Sequence, residues 1–185
     1  MKIQKRVINL LIFAFCLWVS LSSAYAANPR DPEEYFFNQS MGDFVEELEL
    51  AKEENKKAIM LFFEQDECPF CYRMKATILN RPDVQDFFRK HFLLFTVDIE
   101  GDIEIVNFKG ESMTQKDFAF KENRVRATPV IAFFDLTGKR VVRYIGAPSS
   151  TEEFYLLGQY VIEKVYEKMS FTRYKRQAKE QKSGG

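Results

Sequence analysis

Residues 61–74 read LFFEQDECPFCYRM, an apolar run, three acids, then two cysteines three positions apart. The apolar run begins further back, in "KKAIMLFFE" (56–64). It has strand length and no polar alternation, which suits a strand covered on both faces. Beyond the acids, "PFCYRMKATIL" (69–79) reads as a helix. Pro69 sits in its first turn, where a missing N–H leaves no hydrogen bond broken. Cys68 therefore falls at a strand-to-helix turn. A helix start offers free N–H groups and the positive end of the dipole, and both favour a thiolate over a thiol. Cys68 is expected to be the exposed nucleophile. Cys71, one turn on and facing the same side, is expected to resolve a mixed disulfide.

The cysteine count sharpens this reading. The chain has three cysteines and one histidine, His91. Cys16 lies in an N-terminal segment with the layout of a secretory signal: Lys2, Lys5 and Arg6, then "VINLLIFAFCLWVSL", then a small-x-small end at Ala24-Tyr25-Ala26. Residues 1–26 are thus expected to be a cleaved signal peptide, and the domain after them to be exported, most simply to a periplasm. The apolar stretch is short for a membrane span. The membrane becomes a partner only if that segment stays uncleaved as an anchor. Cleavage would remove three of 27 basic residues, leaving 24 against 27 acidic ones and a net charge of −3. That balance gives no electrostatic case for binding nucleic acid. Only Cys68 and Cys71 would remain. A structural zinc site wants four ligands, and one C-x-x-C with a lone histidine does not supply them. A disulfide across so small a loop adds little stability. Redox chemistry remains, with no metal and no cofactor beyond the Cys68–Cys71 couple.

The rest of the chain supplies a frame. Residues 27–42 read as an extended lead-in with two prolines. "DFVEELELAKEENK" (43–56) reads as a helix with Phe44, Leu48 and Ala51 on one face. A short helix is expected at 81–92 and a second buried strand at 93–99 ("LLFTVDI"). Residues 100–113 alternate apolar and polar residues and read as an inserted hairpin or irregular excursion. A helix follows over 114–125. "PVIAFFDLTGKRVVRYIG" (129–146) is a hairpin around Thr137-Gly138. Ser149, Ser150 and Thr151 offer caps for a long helix running to about Met169. The domain spans 43–170, and the polar, basic residues 171–185 read as a flexible tail. Strands alternating with helices imply parallel crossovers, with the closing hairpin adding antiparallel strands.

Two segments together carry a resemblance. "LFFEQDECPFCYRM" followed by "VRATPVIAFFDLTGKRVVRYIGA" resembles the thioredoxin family over roughly residues 43–168. The resemblance implies an α/β thioredoxin fold, a central mixed β-sheet flanked by helices, with the 100–113 excursion inserted. It implies a cis bond at Thr128-Pro129, packed beside the cysteines, with Thr128, Pro129, Pro69 and Phe70 meeting the substrate. Gly146 matches the glycine that closes the following strand. Within the family, the excursion before Arg126-Ala127-Thr128-Pro129 is similar to that of the exported SoxW-like thioredoxins.

The sequence also departs from thioredoxin. Pro69-Phe70 replaces Gly-Pro and is closer to the Pro-Tyr of glutaredoxins and the Pro-His of the oxidase DsbA. The tryptophan before the motif becomes Glu67, and the buried acid aligns with Phe62. Glu64, of the same strand parity as Phe62, is either a substitute proton acceptor for Cys71 or a solvated acid at a strand end. Asp66 and Glu67 oppose thiolate formation, screened by solvent. The expected activity is thiol–disulfide exchange, leaning to reduction of protein or small-molecule disulfides and recharged by a membrane thiol reductant. A DsbA-type oxidase and a thioredoxin-fold module that handles copper or another soft metal are the competing readings. His91, Tyr72 and Met74 are expected to pack rather than react, and Asn38-Gln39-Ser40 is a formal glycosylation sequon.

Overall fold

The computed structural model describes residues 28–183. The expected signal peptide and Cys16 lie outside them. Four strands form one sheet: β1 (Ala58–Glu64), β2 (Phe92–Asp98), β5 (Val130–Phe134) and β6 (Arg140–Ile145), in the order β2-β1-β5-β6. β1 and β2 are parallel, joined through helices α3 (Pro69–Met74) and α4 (Pro82–His91). β5 and β6 are antiparallel to their neighbours. This is the mixed sheet expected from the order of elements.

β1 and β5 have side chains buried on both faces, so each strand feeds two cores. Met60, Phe62, Ile131 and Phe133 face one core, with Phe88 and Phe154 from the covering helices α4 and α6 (Thr151–Ile162). Ile59, Leu61, Phe63, Val130, Ala132 and Phe134 face the other, under helix α2 (Phe44–Glu53). Period-two alternation places successive residues on opposite faces, which is why an unbroken apolar run is required here. Phe88 and Phe154 stack with centroids 4.0 Å apart, fixing α6 against α4. Both cysteines belong to the first core, on the same face as Phe62.

The excursion is a two-stranded hairpin, β3 (Glu104–Val106) and β4 (Ser112–Thr114), separate from the main sheet. The expected helix over 114–125 is shorter: α5 (Gln115–Asp117) runs into a wider turn over Phe118–Glu122. α3 likewise continues as a wider turn over Lys75–Leu79.

Three boundaries differ from expectation. The lead-in is not extended throughout. Helix α1 (Pro32–Tyr35), capped by Asp31, turns Phe36 and Phe37 into the first core, where both are buried. Burial of each phenylalanine contributes about 1.5–3 kcal/mol, enough to dock a short segment. Beyond it, Asn38 holds the outer edge of β2 with two bonds: its N–H donates to Leu94 O (2.7 Å), and its Oδ1 accepts from Leu94 N (2.9 Å). At the other end α6 stops at Ile162, not near Met169, and Lys164 adopts a left-handed conformation. The tail is helical over Phe171–Ser183, here α7. Phe171 and Tyr174 pack on Tyr160, and Lys175 pairs with Glu153 of α6 at 2.5 Å. Its polar composition hides an apolar i, i+3 pair that a partner helix can bury.

Candidate active site

The redox motif follows the C-terminal end of β1. Cys68 is extended and caps α3, and its Sγ accepts the Cys71 N–H at 3.1 Å. Cys68 O accepts the Tyr72 N–H at 3.1 Å. Cys68 and Cys71 are joined as a disulfide with their Cα atoms 5.2 Å apart. A donor already aimed at Cys68 Sγ favours the charged sulfur when the bond opens. Cys68 is not the exposed residue expected of it. It is 3% exposed and Cys71 2%, because both sulfurs pack into the core beneath the sheet end. The exposed parts of the motif are Pro69 and Phe70, with Phe70 55% exposed and the Arg73 guanidinium 5.1 Å from its ring centroid.

Thr128-Pro129 is cis. It opens β5, whose Val130 pairs with Phe63 of β1, so the proline and the cysteines share one end of the sheet. Thr128 Oγ1 donates to Gln65 Oε1 at 3.0 Å, tying this segment to the loop that enters the motif. Gly146 N donates to Pro129 O at 2.9 Å, with φ near 87°, a conformation that favours glycine. Gln65 carried no signal in the sequence. An isolated polar residue in a loop has no period, and its partner is 63 positions away.

Glu64 is not a solvated acid. Its side chain is 19% exposed and Lys75 Nζ lies 2.7 Å from Oε2. Lys75 also reaches Glu33 of α1 at 2.6 Å, so one ammonium lies between two carboxylates. Burial raises the Glu64 pKa above the usual carboxylate value, and the Lys75 contact only partly offsets it. Burial pulls Lys75 down, but Glu33 and Glu64 outweigh it and hold the ammonium charged. Lys75 is four residues beyond Cys71, so this group borders the redox helix.

Asp66 and Glu67 are exposed, and Asp66 O accepts the Tyr72 hydroxyl. Tyr72, 60% exposed, therefore closes the motif loop, while Met74 is core. His91 packs against Phe87 and Phe92, and burial lowers its pKa.

A thioredoxin-like domain model matches residues 44–162. The chain belongs to the thioredoxin-like family. Among solved structures, a thioredoxin-fold protein from Helicobacter pylori is 23% identical over 71% of this chain and 88% of its own, with TM-score 0.59. A DsbH oxidoreductase is 21% identical over 77% and 96%, with TM-score 0.52. A putative disulphide-isomerase from Bacteroides thetaiotaomicron is 23% identical over 69% and 94%, also at 0.52. At these identities they establish the fold. No curated protein matches the chain. A thioredoxin-like domain with its two motif cysteines joined is a thiol–disulfide oxidoreductase.

Proposed function

We propose that this protein is an exported, SoxW-like reductase of protein disulfides. The observation that carries disulfide exchange through Cys68, in either direction, is the Cys71 N–H aimed at Cys68 Sγ, in a motif whose loop is tied to the cis-proline segment. The β3–β4 hairpin before Arg126-Ala127-Thr128-Pro129 supports the SoxW-like placement. The layout of residues 1–26 supports export to a periplasm.

The reduced Cys68 thiolate attacks a substrate disulfide, forming one S–S bond and expelling one substrate thiolate. Cys71 then loses its proton, attacks Cys68 Sγ and expels the second substrate thiolate, leaving Cys68–Cys71 joined. Glu64 is the proposed acceptor of the Cys71 proton, a role that a raised carboxylate pKa suits. Thr128, Pro129, Pro69 and Phe70 form the proposed substrate contacts. An upstream membrane thiol reductant returns two electrons and two protons. Asp66 and Glu67, exposed before the motif, support the reducing direction, because negative charge there disfavours a second negative charge on the sulfur.

Equilibration of the couple with glutathione tests the direction. A potential on the order of −270 mV is expected, and one on the order of −120 mV would reverse the reading to oxidase. Insulin reduction should vanish in Cys68→Ser, and Cys71→Ser should accumulate mixed disulfides. Turnover that survives Cys68→Ser would end the proposal.

A further inference from the structure

The pole opposite the disulfide carries a cationic cleft of about 720 Å³. β5 runs from Val130 beside the cis proline to Phe134, about 14 Å away at some 3.4 Å per residue. There the Asp135–Lys139 turn reverses the chain, with Gly138 at φ 79° and a Cβ at that position only 2.8 Å from Phe108. The floor is apolar: Phe108 stacks on Phe134 with centroids 4.4 Å apart, and Met113 lies beside them. The walls bring Lys109, Lys121, Lys139 and Arg140 against one acid, Glu122. Beyond the lining, Asp117 pairs with Lys121 and Asp135 faces Lys139, so the unmatched positive charge is that of Arg140, with Arg143 and Arg124 beside it.

Arg140 is the informative member. It is half-buried, and its Nη1 donates to Asn123 O (3.0 Å) and Oδ1 (3.1 Å). Among the described residues no carboxylate lies within ion-pair distance of its guanidinium. The neighbouring acids are already engaged, Glu122 by Lys109, Asp117 by Lys121, and Asp135 by the Thr137 and Lys139 N–H groups. Burial, with Arg143 and Arg124 adding positive charge, lowers the Arg140 pKa. A guanidinium offers five donors in a planar fork that fits a carboxylate, and Asn123 uses only one nitrogen.

We infer that this cleft docks an acidic polypeptide segment of a partner protein, its carboxylates on Arg140 and Lys139 and an apolar side chain on the Phe108–Phe134 floor. The charge selects the sign of the occupant, and the apolar floor selects a side chain over a bare ion. The position does the rest: a partner held at this pole leaves the redox end of the sheet, with the exposed Pro69 and Phe70, open.

The test uses the oxidised full protein in a nitrogen-15 NMR titration with the peptide acetyl-Phe-Glu-Asp-Phe-Glu-amide. Two controls are its Gln/Asn counterpart and inorganic phosphate. Shifts are expected at Phe108, Gly138, Lys139 and Arg140, with Cys68 and Cys71 unmoved and insulin reduction unchanged. Arg140→Gln should weaken binding at least tenfold. Lys139→Gln, at an exposed turn residue, should weaken it several-fold and covers the case in which Arg140→Gln disturbs the Asn123 loop. Raising salt from 50 to 200 mM should also weaken it. Equal binding of the neutral peptide, equal binding of phosphate, shifts centred on the redox end, or unchanged affinity in Lys139→Gln would overturn the inference. Each of these outcomes is independent of whether the protein reduces or oxidises disulfides.

Discussion

Glu64 and Glu153 are both poorly exposed carboxylates met by a lysine, and their proton affinities move in opposite directions. Glu64, beside the redox helix, is raised by burial, and it shares Lys75 with Glu33. Glu153 sits beneath the C-terminal helix with a side chain only 6% exposed. Burial alone would raise it, yet it is lowered to about 2. The difference is the number of donors. Glu153 takes Lys175, the Ser149 N–H and hydroxyl, and the Tyr144 hydroxyl, which is itself pushed up to about 12. Glu64 has a share of one lysine. An acid with its lone pairs filled is locked as a carboxylate and serves as a structural clamp. An acid left short of donors can still take up a proton, which is what the role proposed for Glu64 requires.

The strongest way to break this contrast is to remove α7. A chain ending at Ser170 leaves Glu153 buried without Lys175 and strips Phe171 and Tyr174 from Tyr160. It should lose about 3–5 kcal/mol in urea unfolding while retaining its redox potential. Glu153→Gln isolates the clamp and should cost about 3 kcal/mol at pH 7, with insulin reduction unchanged. The pH dependence follows from the sign of the shift. A lowered acid contributes stability that is present above its unfolded value of 4.5 and is lost as pH falls toward 2. Unfolding at stepped pH should show this acid limb in the native protein and a flatter one in Glu153→Gln.

Glu64→Gln should behave oppositely. Single-turnover measurement should find resolution of the mixed disulfide slowed at least about tenfold. Stability at pH 7 should hold or rise by up to about 1 kcal/mol, because a raised acid destabilises the fold once pH climbs through its pKa. Lost stability with an unchanged rate would make Glu64 a second clamp. The smallest effect is expected from Thr128→Ala, which removes the bond to Gln65 and should lower stability by about 1 kcal/mol, with a modest loss in substrate affinity.

The sheet was legible because its signals are local. The run 58–64 has no polar break, Thr137-Gly138 marks a turn, and Pro69 marks a helix start. The cysteines were legible because a lone C-x-x-C is chemically constrained, whereas the cis proline and Gly146 were legible only through the resemblance to the thioredoxin family. Three features were not. α7 looks polar by composition, and the Glu153 contact that holds it is 22 residues distant. Phe36 and Phe37 sit among prolines and acids, and their burial depends on Phe62, Phe88 and Phe154 elsewhere in the chain. The low exposure of Cys68 follows from how far the motif sinks into the first core, which spacing alone does not set.

Asn38 has a consequence of its own. β2 is an outer strand of the sheet, and such strands are templates for runaway association between chains. Asn38 occupies the Leu94 N–H and C=O together, in the manner of a single paired residue. Four residues further along β2, Gln115 Oε1 accepts the Asp98 N–H at 2.6 Å. Two side-chain amides therefore blunt the edge without adding a strand, and the first of them belongs to a segment that reads in the sequence as a mere approach to the domain. Asn38→Ala keeps the backbone bond to Leu94 O but frees the Leu94 N–H, and should surface as concentration-dependent aggregation on storage, well before any change in disulfide chemistry.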